Sequence, residues 1–70
     1  ALPAADSAAE RTRLEKELSE ASAHAERLER QLGNAQFRAK APANVVAGME
    51  STLAETRARV EGLRARLAQL

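Results

Sequence analysis

Leucine and alanine recur at alternating intervals of four and three through Leu14, Leu18, Ala21, Ala25, Leu28 and Leu32, with charged residues filling most of the positions between. That spacing lays one apolar stripe along an α-helix and is the repeat of a coiled-coil seam. The pattern returns in Val46, Met49, Leu53, Thr56, Val60, Leu63, Leu67 and Leu70. Each stripe has only the other as an apolar partner, so the sequence predicts an all-α fold. Two long helices form an antiparallel coiled-coil hairpin with an ordered tip loop. Helix one is expected over about 9–32, the tip over 33–41 and helix two over 42–70. Residues 1–8, with Pro3 and no sustained apolar period, are expected as a flexible tail or linker. Asp6 or Ser7 is the expected cap of helix one, because Glu10 follows Ser7 at capping-box spacing.

Matching side-chain size across the seam selects a register. Leu32 faces Met49, Leu28 faces Leu53, the small Ala25 and Ala21 face Thr56 and Val60, and Leu18 and Leu14 face Leu63 and Leu67. The flanking charges then set Glu15 against Arg64 and Glu17 against Arg66. A register one heptad shorter would instead pair Glu17 with Arg59 and Glu10 with Arg66. The longer register is preferred because it leaves room for Phe37, Val45 and Val46 at the tip. At the open end Arg11 takes a seam position opposite Leu70, so that end is expected to fray. Gly48 and Gly62 fall on the outer face of helix two, where each costs about 1 kcal/mol relative to alanine.

The interruption is the most specific part of the chain. Gly33 follows the last periodic leucine and suits the left-handed position that ends many helices, with Asn34 the next best tolerated there. Pro42 suits the first turn of a helix and biases Ala41 toward extended geometry. Phe37, the sole aromatic residue, lies between Leu32 and the pair Val45 and Val46, and is expected to plug the end of the seam.

Composition narrows the function. Seventy residues, 30% of them charged, allow one small domain at most and fit a long helical element better than a compact enzyme. Cysteine is absent, and the single His24 has no partner at metal-ligand spacing and reads as a solvated helix-face residue. No phosphate-binding glycine loop and no nucleophile paired with a base is present. The fragment is therefore expected to have no catalytic site, no metal and no cofactor. No apolar run is long enough to cross a bilayer, and a cytoplasmic, monomeric fragment of a longer protein is expected.

A formal net charge of +1 gives no global basic field, so any nucleic-acid binding must come from local clustering. Arg57, Arg59, Arg64 and Arg66 flank the seam and read as salt-bridge partners. Arg30, Arg38 and Lys40 differ, because no acid occurs between Arg30 and Met49. Cations at the end of a rod, beside the amides of Gln31, Asn34, Gln36 and Asn44, are what contact with a phosphate backbone needs. A solubilising role is the plain alternative.

Leu32, Asn34, Phe37, Lys40-Ala41-Pro42 and Val45-Val46 together resemble the hairpin tip of the C-terminal coiled-coil arm of bacterial valyl-tRNA synthetases. Arg13-Leu14 and Lys16-Glu17-Leu18 are similar to the run that usually opens the first helix of that arm. The resemblance implies a partner, tRNA specific for valine, held at its outer corner where the D and T loops meet. It also implies a parent ATP-dependent valine–tRNA ligase whose other domains carry the chemistry. Lys40 carries over as the basic tip residue, while Asn34, Phe37, Pro42, Val45 and Val46 carry over as tip architecture. Arg30 and Arg38 rest on clustering alone. Two rival readings are a generic antiparallel coiled coil for protein association and the C-terminal coiled coil of a ribosome-associated ATP-binding-cassette ATPase. The first calls for an apolar stripe on an outer face, where the sequence has mostly alanine, arginine and glutamate. The second leaves the tip spacing unaccounted for.

Overall fold

The computed structural model describes residues 3–70, with side chains described from residue 7 onward. Three helices occur in order, α1 (Pro3–Leu32), α2 (Ala35–Lys40) and α3 (Ala43–Gln69). The long helices α1 and α3 pack side by side into a hairpin measuring 57 × 14 × 14 Å. This is the all-α antiparallel pair that the two stripes require.

The helix begins earlier than its sequence pattern suggests. Pro3 opens α1, within the stretch expected as a tail; residues 1 and 2 lie outside the described residues. Proline costs little in a first helical turn, and the alanines that follow have the highest helix propensity of any residue, so helix continues without an apolar stripe to bury. Asp6 and Ser7, expected as caps, lie inside the helix.

Two apolar clusters fill the seam. Leu14, Ala21, Val60 and Leu63 form one with Leu18 and Leu67 against it; Ala25, Leu32 and Leu53 form the other with Leu28, Val46 and Met49. Each cluster contains the layers of the longer register, Leu14 with Leu67, Leu18 with Leu63 and Ala21 with Val60 in one, Leu28 with Leu53 and Leu32 with Met49 in the other. No buried polar or charged residue interrupts them among the described residues. Thr56, the polar member of the seam, is half-buried and turns its hydroxyl back to donate to the Thr52 carbonyl at 2.8 Å.

The flanking charges do not follow the expected pairs. Glu17 binds Arg59 at 3.3 Å, the pair of the shorter register, and Glu29 binds Arg57. Arg64 turns to Glu61 on its own helix at 3.6 Å. Long side chains lean along the rod to reach a carboxylate, and exposed pairs contribute only about 0.2 to 1 kcal/mol, too little to oppose the apolar layers. Size matching sets the register, and the ion pairs adapt to it. At the open end the seam stays closed as far as Leu14, which is only 1% exposed, while beyond it, where the seam is expected to open, Arg11 is exposed and Leu70 is 39% exposed.

Candidate nucleic-acid interface

The tip is built by a helix restart. At the end of α1 the Gly33 N–H still donates to the Glu29 carbonyl at 2.9 Å, and the Asn34 N–H reaches Gln31 at 3.1 Å. Gly33 does not adopt a positive φ, which corrects the left-handed expectation. Asn34 instead turns extended, with φ −86° and ψ 112°, and its carboxamide oxygen accepts from the N–H groups of Gln36 at 2.9 Å and Phe37 at 3.3 Å. Asn34 is thus the N-cap of α2, satisfying donors that a helix start leaves unpaired. Glycine at 33 serves close packing, because a Cβ there would lie 3.2 Å from the Glu29 carbonyl oxygen.

The ordered tip loop expected at 33–41 therefore holds a short helix. It ends at Ala41, which is extended as the following proline demands, and Pro42 becomes the N-cap of α3. The Pro42 carbonyl accepts from Val45 and Val46 at 3.0 and 3.1 Å. Arg38 spans the joint, donating from Nη1 to the Leu32 carbonyl at 2.9 Å and so satisfying one of the acceptors left open at the end of α1. Four of its five N–H donors remain.

Phe37 does not plug the seam. Leu32, Val46 and Met49 close it from below, whereas Phe37 is half-buried and Val45 is 43% exposed. Phe37 lies instead in a shallow outer depression with Asn34, Gln36, Lys40, Ala41, Pro42 and Val45. The α2 restart explains the difference. It lifts the ring onto a helix that has no buried residue, above the last seam layer.

The three basic residues singled out at the tip occupy three different settings. Lys40 borders the Phe37 depression, Arg38 is tied to the end of α1, and Arg30 lines a second depression on the flank of α1 with His24, Arg27, Leu28 and Gln31. Among the described residues none of Arg27, Arg30, Arg38 and Lys40 has a carboxylate partner, while Arg57, Arg59 and Arg64 each have one. Among the described residues Arg11, Lys16 and Arg66, toward the open end, also lack a partner but stand among Glu10, Glu15, Glu17 and Glu20. Arg27 was not singled out by the sequence reading; its signal was its place between His24 and Gln31 at spacings of three and four. No group of metal-ligating side chains is found among the described residues, and no helix is long and apolar enough to cross a membrane.

A family model described as the valyl tRNA synthetase tRNA binding arm matches residues 6–70. The chain belongs to this family. Neither a curated protein nor a solved structure matches it. The family description accounts for the main contrast in the arm, a rod whose shaft is internally satisfied and whose tip is not. It also makes tRNA the partner and a synthetase the larger context.

Proposed function

We propose that the arm holds the outer corner of valine-specific tRNA, where the D and T loops meet, and so assists aminoacylation by the rest of a parent ATP-dependent valine–tRNA ligase. The fragment itself supplies no catalytic group and no cofactor. It acts as a single copy in the cytoplasm. The shaft gives reach, and the tip gives the contact. Arg30 and Lys40 meet phosphates, Arg38 joins them with the donors it does not spend on Leu32, and the amides of Gln31, Gln36 and Asn44 donate to phosphate and sugar oxygens. Phe37, with Pro42 and Val45, offers an apolar face on which a base can stack.

The observation that supports this reading is the coincidence, at one end of the rod, of cations without carboxylate partners among the described residues and a partly buried aromatic ring in a surface depression. A protein-association module would need a broad apolar outer surface, and the only large hydrophobic residues that stand exposed among the described ones are Val45 and Leu70. The test is tRNA binding by the full-length protein carrying Arg30→Gln and Lys40→Gln, measured across salt concentrations. Binding should weaken and the salt slope should flatten by up to about 2, since each lost phosphate contact removes slightly less than one unit. Unchanged affinity with an unchanged slope would place the contact elsewhere on the arm.

A further inference from the structure

We infer that the RNA contact continues from the tip down one flank of α1, where Arg27 takes a backbone phosphate of the same tRNA. This rests on the tRNA-binding reading above and extends it to a surface two helical turns long. His24, Arg27, Leu28 and Gln31 lie at helical positions that share one face, and Arg30 borders them. They line a single depression whose floor is the half-buried Leu28. Two guanidinium groups without carboxylate partners, a carboxamide donor and an apolar floor suit one nucleotide, its phosphate on the arginines and its sugar or base over Leu28.

The surrounding charges confine this surface. On the same flank, nearer the open end, the next depression holds Glu17 and Glu20 with Arg59, and Arg59 is engaged by Glu17. The opposite flank is lined by Glu26, Glu29 and Glu61, and its Arg57 and Arg64 are both paired. A phosphate would meet carboxylates on either. Among the described residues, only the flank from His24 upward has unpaired arginines and no carboxylate in its lining, since the unpaired Arg11, Lys16 and Arg66 stand among glutamates, and Arg30 and Gln31 join it directly to the tip. The fourteen positions from Gln31 to Asn44 add no acid.

The experiment compares Arg27→Gln, Lys40→Gln and Arg57→Gln in the full-length protein, with a tRNA transcript as probe and binding measured from low to high salt. Loss of one phosphate contact should weaken binding about five- to eightfold at roughly 0.1 M salt and lower the slope by about 0.7 to 0.9. Arg27→Gln and Lys40→Gln are both expected to do this, and Arg57→Gln is expected to leave the slope alone. If Lys40→Gln has the effect and Arg27→Gln does not, the flank contact is overturned and the tip reading stands. If neither has it, both fall. An equal effect from Arg57→Gln would also overturn the flank contact, because it would show a general charge effect with no local site. Thermal unfolding, expected to match the parent for Arg27→Gln and Lys40→Gln and to fall only slightly for Arg57→Gln, which loses its exposed pair with Glu29, separates lost contact from lost fold.

Discussion

The shaft and the tip are made from similar residues and solve opposite problems. Along the shaft every large apolar side chain from Leu14 to Leu32 faces a partner on α3, and the arginines nearest the seam on α3 up to Arg64 find carboxylates. At the tip an aromatic ring and an exposed valine stand outside the seam, and among the described residues the cations form no ion pair. A surface that has satisfied its own charges and apolar area has little to offer a polyanion. The difference therefore teaches where binding free energy remains available, and it separates residues that hold the rod from those that use it.

The sharpest way to break the comparison is to damage the shaft. Leu14→Ala should lower stability by about 2 to 5 kcal/mol, because a side chain this enclosed leaves a cavity between packed helices. Urea unfolding of the arm measures it, and a loss below about 1 kcal/mol would mean that the seam near the open end is looser than its burial indicates. A change at the tip should have the opposite profile. Phe37→Ala is expected to weaken tRNA binding by about 1 to 3 kcal/mol while shifting the melting curve much less than a core truncation does. A melt shifted as far as that of Leu14→Ala would return Phe37 to the core.

Smaller changes sharpen the boundary. A Cβ at Gly48 or Gly62 would meet open space, so Gly48→Ala and Gly62→Ala should each raise stability by up to about 1 kcal/mol. Differential scanning calorimetry resolves such a gain, and a loss would point to a partner on that face. The smallest effect belongs to the ion pairs. Arg57→Gln should cost about 0.2 to 1 kcal/mol, since Arg57 and Glu29 both keep substantial exposure, and the cost should vanish in high salt. A salt-independent loss would show that the pair does more than decorate the seam.

Periodicity determined the two long helices and the hairpin, because an apolar stripe with a single available partner has few ways to leave water, and side-chain size across the seam chose between two registers that the period alone left equal. The positions of Ala41 and Pro42 were equally legible, since the proline ring restricts both residues wherever they occur. What the linear pattern left open was how the chain crosses from one helix to the other. Asn34 can tolerate a left-handed turn or cap a new helix, and only the position of the following N–H groups decided for the cap. That choice raised Phe37 out of the seam and carried Arg38 to the Leu32 carbonyl. The pairing of charges was likewise a tertiary outcome, because several glutamates lie within reach of each arginine and the energies separating them are small. Hydrophobic spacing is a property of one strand of text; the direction in which a half-buried ring or a long guanidinium points depends on what the other helix leaves uncovered.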